Sequence, residues 1–141
     1  RNRGEAEVKG VEIEGTVQLP AGMLGQLALQ SQRGKVLDDD AAMDTIPPGG
    51  AVLTVRRDPS KRWWWLARMA AYQRDDRPGP TEQEVAGYTI VDAGLGFRVW
   101  EQLELQILGR NLTDRAYFGS ADATAVLAPG RSVQLAVRGK I

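Results

Sequence analysis

The sequence predicts an all-β chain, an antiparallel up-and-down meander of about seven strands. Three observations carry that prediction. Apolar residues recur with a period of two, and helical spacing is poor throughout. Clusters of Gly, Pro, Asn and Asp punctuate the alternating runs. The connections alternate between tight turns and long polar segments.

The first run has Val11, Ile13, Val17 and Leu19 on one side, with Glu12, Glu14, Thr16 and Gln18 on the other. Ala6 and Val8 sit on even positions, so the alternation slips by one at Gly10, where a β-bulge is expected. The second run sets Leu27 and Leu29 against Gln26, Gln30 and Gln32. The third pairs Ala51, Leu53 and Val55 with Thr54 and Arg56. The fourth, Arg62 to Tyr72, opens on Trp63-Trp64-Trp65 and then places Ala67, Met69 and Ala71 opposite Arg68. The fifth sets Val91, Ala93, Leu95, Phe97 and Val99 against Asp92, Gly94, Gly96 and Arg98. The sixth has Leu103, Leu105 and Ile107 against Gln102, Glu104, Gln106 and Arg110. The seventh has Val133, Leu135, Val137 and Ile141 against Gln134, Arg138 and Lys140.

Pro20-Ala21-Gly22, Asp58-Pro59-Ser60 and Trp100-Glu101 read as tight turns. Between them lie three long polar segments, Lys35 to Gly49, Arg74 to Gly87 and Thr113 to Gly130. Loops of that length are uncommon in compact domains and are usually functional. Short turns at one end and long loops at the other are the pattern of transmembrane barrels. An odd number of antiparallel strands leaves the first and last parallel, so the sheet cannot close on itself. Open edges are not tolerated in lipid, where each unpaired backbone group costs several kcal/mol. A membrane sheet of this kind is therefore expected to be part of a larger one.

Composition removes many alternatives. The 141 residues suit a single domain, and 18 basic residues balance 18 acidic ones. That balance argues against a nucleic-acid partner. With no Cys and no His, disulfides, zinc sites, thiol nucleophiles and Ser-His-Asp triads are excluded. No apolar stretch approaches the ~18 residues of a transmembrane helix. Arg1 to Lys9 carry no apolar signal-peptide core.

The last third of the chain carries a resemblance. Gly87-Tyr88-Thr89-Ile90-Val91-Asp92 comes first, followed by Leu103-Glu104-Leu105. Then come Arg110-Asn111-Leu112-Thr113-Asp114-Arg115-Ala116-Tyr117 and Ala128-Pro129-Gly130-Arg131. In this order and spacing they resemble the C-terminal end of TonB-dependent outer-membrane receptors. Lys9-Gly10-Val11-Glu12 and Ile46-Pro47-Pro48 resemble upstream segments of the same family, so the likeness covers nearly the whole chain.

The resemblance implies a barrel of 22 antiparallel strands closed around an N-terminal plug, located in the bacterial outer membrane. It would import a scarce nutrient, such as a metal-siderophore, haem or cobalamin, with energy from the TonB system. Residues 1–141 would supply about the last seven strands. The plug, the other strands and the segment touching TonB are expected outside this stretch, which reads as a fragment or parsed domain. Implied partners are that plug and those strands, TonB, outer-membrane lipid and the barrel assembly machinery. The tight turns would be periplasmic and the long loops extracellular. The odd-numbered apolar face would meet lipid, and Asp92, Arg98, Glu104, Gln106, Arg110, Gln134 and Arg138 would line a wet lumen. Trp63, Trp65 and Trp100 would form part of a periplasmic aromatic girdle. Family barrels usually end in Phe or Trp, and Ile141 departs from that, which bears on assembly.

No catalytic residue, metal ligand or cofactor is expected. Asp38-Asp39-Asp40 with Asp44 has the oxygen donors for calcium but lacks the spaced pattern of a calcium loop, and a solvated acidic loop accounts for it better. Arg74, Asp75, Asp76 and Arg77 read as a charged rim. Adjacent strand residues alternate faces, so at most two of the three tryptophans share a surface, and Trp64 points inward without an explanation. Asn111 and Asp114 are turn-formers, Pro129-Gly130 is a turn, and Arg131 is placed to pair with Asp114 or an aromatic ring. Asn111-Leu112-Thr113 matches a glycosylation acceptor, a pattern frequent by chance. Glu12 with Glu14, and the lone Glu104, are the acids available for a carboxylate-based hydrolase, though a polar wall predicts the same residues. The competing reading is a soluble β-sandwich or barrel serving as a ligand-binding module, which also has one apolar face.

Overall fold

The computed structural model describes residues 4–38, 40–57 and 62–139. Asp39, the Asp58-Pro59-Ser60 turn and Ile141 lie outside the described residues. Seven strands follow in chain order: β1 (Ala6–Leu19), β2 (Met23–Val36), β3 (Gly50–Arg57), β4 (Trp63–Tyr72), β5 (Tyr88–Trp100), β6 (Leu103–Arg110) and β7 (Ser132–Gly139). They form one sheet in the order β1 to β7, each strand antiparallel to the next. This is the meander expected from the alternation, and β1 and β7 are its two open edges.

The register explains how a period of two becomes a continuous surface. Ile13 faces Leu29, Leu29 faces Ala51, Ala51 faces Ala71 and Ala71 faces Thr89. Farther along, Leu95 faces Ile107 and Ile107 faces Leu135. Odd residues meet odd residues at every seam, so one parity is one face across the whole sheet. Many large apolar side chains of that odd face are exposed, from 41% (Leu53, Trp63) to 75% (Leu135), while Leu29, Val55, Trp65 and Val91 are half-buried. The buried apolar residues among the described ones are Ala70, Val85 and Ile90. A sheet with this little covered area has no core of its own, and what it exposes is an apolar face suited to lipid.

The bulge expected at Gly10 is not there. Pairing runs uninterrupted from Ala6 opposite Val36 to Leu19 opposite Met23. The parity slip has another cause: β1 and β2 are 14 residues each, the longest strands of the sheet. Their Ala6 and Val36 ends extend past the apolar band, where neither face must be apolar. A real bulge occurs in β5, where the register shifts between Arg98, opposite Glu104, and Trp100, opposite Leu103. Opposed residues share a face, so this bulge brings the even-numbered Trp100 round to the odd face beside Leu103.

The short connections collect at one end. Pro20–Gly22 forms a single 3-10 turn, and Ala21 and Gly22 take φ values of 61° and 72° there. Trp63 and Trp65 lie at the same end on the odd face, as the alternation predicts, and the β5 bulge adds Trp100. The Arg57 guanidinium lies 4.2 Å from the Trp63 ring, and that of Arg62 lies 5.3 Å from Phe97. A guanidinium over an aromatic face is a cation–π contact.

Candidate functional site

The even face and the three long connections are where polar chemistry collects. On the even face, charges meet in opposed rows. Arg68 and Asp92 are directly opposite across β4 and β5, with Nη1 to Oδ2 at 3.0 Å. Arg98 on β5 faces Glu104 on β6, which faces Arg138 on β7. A row of cation, anion and cation leaves one net positive charge, and with the Arg68–Asp92 pair the wall mixes both signs. Gln106 also donates to Glu104. Arg110 is exposed at the far end of β6, opposite Ser132.

Trp64 has a partner after all. Its indole crosses β5 over Gly94 and Gly96 and donates from Nε1 to Glu104 Oε1 at 3.0 Å. A Cβ on Gly96 would lie 2.2 Å from Trp64 Nε1. The signal was legible as two glycines on one face of β5, opposite a tryptophan strand. Gly96→Val is expected to displace the rigid indole, break its bond to Glu104 and cost about 1–3 kcal/mol. Tryptophan fluorescence and urea unfolding in detergent check this. Gly15→Val, where nothing lies within 4 Å of the added Cβ, is expected to be near neutral.

At the long-loop end, the segment after β6 works as a lock. Asn111, 4% exposed with φ at 47°, donates from Nδ2 to the carbonyls of Arg115 (2.9 Å) and Pro129 (3.2 Å). Its Oδ1 accepts the Arg115 N–H at 3.0 Å, and its own N–H donates to Asp92 Oδ1 at 2.9 Å. Asp114, with φ at 51°, accepts the Arg131 N–H at 2.9 Å and lies 3.8 Å from the Arg131 guanidinium. The structural role expected for Asn111 and Asp114, and the Arg131–Asp114 pairing, are therefore present. Tyr88 stacks on Tyr117 at 4.2 Å and tilts against Tyr72 at 5.0 Å. Tyr72, which pairs with Tyr88 across the strand seam, carries no motif of its own and was missed in the sequence.

The three long connections also bind one another. Asp44 accepts the Thr81 N–H at 2.9 Å, and Glu82 accepts the N–H groups of Thr45 (2.8 Å) and Gly79 (2.9 Å). Gln83 N–H donates to the Ala121 carbonyl and Ala123 N–H to that of Thr81, tying the second connection to the third. Val85, whose backbone is paired with that of Asp75, is buried. Glu82→Ala is expected to release the first two connections, lowering their local opening free energy by about 1–2 kcal/mol. Faster proteolytic nicking between residues 73 and 87, with an unchanged global unfolding midpoint, is the readout.

The remaining candidates fall as follows. Asp40 pairs with Lys35 at 3.0 Å, and Asp44 is committed to Thr81. Among the described residues no group of three acids is placed to hold a metal ion. In the rim, Arg74 is bonded to Glu84, which raises the guanidinium pKa, and Asp75 accepts the Arg77 N–H at 3.2 Å. Asp122 is held below the ordinary carboxylate range by the Thr124 hydroxyl and then by the Thr124 N–H. Glu12 and Glu14 share the even face but lie on β1, five strands from Glu104 and so roughly 24 Å away at ordinary strand spacing. The acids are not brought together.

The geometry has counterparts among solved structures. "Copper transporter OprC" is 22% identical, with a TM-score of 0.83 over 95% of this chain and 24% of that one. The ferric yersiniabactin uptake receptor FyuA from Yersinia pestis is 20% identical, with a TM-score of 0.82 over 98% and 24%. A G324V mutant of the ferric enterobactin receptor PfeA from Pseudomonas aeruginosa is 19% identical, with a TM-score of 0.79 over 98% and 23%. The chain thus spans about a quarter of the length of these structures, and at such identities the likeness speaks for fold. No curated protein sequence matches the chain. The family model described as "TonB dependent receptor-like, beta-barrel" matches residues 1–112, most of the chain, taking in Tyr88, Asp92 and Asn111 but ending before Asp114 and Arg131. With that match over most of a seven-stranded antiparallel meander, the chain belongs to the TonB-dependent receptor β-barrel family.

Proposed function

We propose that this chain is the C-terminal section of the barrel wall of an outer-membrane active-transport receptor. The whole receptor would have 22 strands closed around an N-terminal plug, and would take up a metal-siderophore or comparable scarce nutrient with energy from TonB. In this reading the tight turns are periplasmic and the long connections extracellular. The odd face meets outer-membrane lipid, and the Arg98–Glu104–Arg138 row faces the lumen and plug. The chain contributes wall, loops and an assembly signal for the barrel assembly machinery, and no catalytic step. Because wall charges of both signs oppose one another, they favour neither an anionic nor a cationic cargo.

One observation carries the reading: a single apolar face continuous over seven strands of an open antiparallel sheet, with no described element packed on it. A soluble sandwich would bury that face against a second sheet. The test is to fold the chain in water and in detergent and follow circular dichroism and gel filtration. Aggregation in water, with β-structure forming only in detergent or with the missing strands supplied, is the expected result. A soluble monomer that unfolds cooperatively in water would reject the barrel and bring the binding module forward.

A further inference from the structure

The carboxylate of Asp92 on β5 holds two groups at once. Its Oδ2 accepts from Arg68 Nη1 on β4 at 3.0 Å, and its Oδ1 accepts the Asn111 N–H, just past β6, at 2.9 Å. It is thus clamped between a side chain of the polar face and the main chain that leads into the third long connection. Asn111 passes the constraint on, because its side chain holds the Arg115 N–H and the carbonyls of Arg115 and Pro129. Arg115 and Pro129 lie near the two ends of that connection, so three linked side chains reach from the middle of β4 to both of its ends. Two further ties join this segment to β5. Leu112 N–H donates to the Val91 carbonyl at 2.8 Å, and the Thr113 hydroxyl to the Thr89 carbonyl at 3.4 Å. Both end on main-chain carbonyls and use no side chain of the polar face.

The Arg68 end of the chain of contacts is open to the even face, with 33% of the Arg68 side chain and 24% of that of Asp92 exposed. A guanidinium carries five N–H donors in a fork that fits a carboxylate. Arg68 stands in a cross-sheet row with Gln26, Thr54 and Asp92, of which Asp92 is the acid. A second carboxylate arriving on this face meets a cation whose present partner also carries the Asn111 N–H. Two carboxylates then compete for one guanidinium, and Asp92 loses the contact that fixes its orientation.

Resting on the barrel reading above, we propose that Arg68, Asp92 and Asn111 form a relay between the lumen and the third long connection. With Arg68 paired to Asp92 the connection is held firm, and a carboxylate that draws Arg68 away from the lumen side loosens residues 113–130. Arg68 and Asp92 are positioning residues in this scheme, acting on the connection through Asn111. The coupling is reciprocal, so a loosened connection leaves Arg68 easier to capture.

The test uses the complete receptor containing this chain, folded in detergent, with hydrogen exchange followed over residues 111–131. Arg68→Gln is expected to speed exchange there roughly tenfold, the share of one charge-assisted hydrogen bond, and Arg68→Lys to restore part of the protection. In an Asp92→Ala background Arg68→Gln is expected to add nothing, because the relay is already cut. Thr54 stands directly opposite Arg68 on β3, two strands removed from β5, so Thr54→Glu supplies the competing carboxylate from within the wall. Thr54→Glu is expected to speed exchange across residues 113–130 in the Arg68 protein and not in the Arg68→Gln protein, with Thr54→Gln near wild type. Protection of the connection left unchanged by Arg68→Gln, or altered equally by Thr54→Glu and Thr54→Gln, overturns the relay. Additive effects of Arg68→Gln and Asp92→Ala overturn it as well. Protease resistance of the wild-type receptor in the membrane tests the barrel reading separately, and its absence rejects that reading and the lumen end of the relay with it.

Discussion

Removal of β7 is expected to abolish assembly of the receptor that contains this chain. β6 and β7 pair from Leu103 opposite Gly139 to Arg110 opposite Ser132. Without β7, the outer N–H and C=O groups of β6 face hydrocarbon, and each such group costs several kcal/mol in lipid. A row of them exceeds the 5–15 kcal/mol by which a folded protein is ordinarily stable. The loss reaches the loop end too, because the Arg131 N–H that Asp114 accepts lies immediately before β7. The measurement is protease resistance and heat-modifiable migration of a receptor lacking residues 132–139. A resistant, folded barrel in the membrane would count against the pairing argument.

Asn111→Ala is expected to be the most damaging single substitution outside the membrane band. The side chain makes two donor bonds and one acceptor bond within 3.2 Å, all of them to backbone groups of the same connection. At about 1 kcal/mol per bond the loss is roughly 3 kcal/mol, and the φ of 47°, which Asn tolerates better than Ala, adds to it. Asn111→Asp keeps the acceptor, loses the donors, and should fall between. The urea midpoint of the detergent-folded receptor tests the order wild type, Asp, Ala. Equal midpoints for wild type and Ala would show that the Arg115 and Pro129 carbonyls find other partners at no cost.

Much of the fold was legible because strand geometry maps directly onto sequence. A period of two needs no knowledge of partners, so runs such as Leu103-Leu105-Ile107 and Val133-Leu135-Val137 announce both strand and face. Turn chemistry is local as well, which is why Pro20-Ala21-Gly22 and the Asn111 and Asp114 positions were readable. The misplaced bulge shows the limit of this local reading. A parity slip at Gly10 looks the same whether the ladder is broken or the strand has run past the apolar band. The length of the paired strand, visible only with its partner, distinguishes the two.

The site divides along the same line. The sequence by itself determined an all-β meander, one apolar and one polar face, three long connections, and the absence of thiol, imidazole and disulfide chemistry. Which polar residues meet was decided only by the tertiary structure. Trp64 finds Glu104 across an intervening strand, and Glu82 holds Thr45 from 37 residues away. Lys9 opposes Arg33, and Arg98, Glu104 and Arg138 fall into one row. Each of these depends on register, the offset between strands. Alternation fixes a side chain's face, but which residue it meets across the sheet depends on turn lengths and on pairing over the whole ladder.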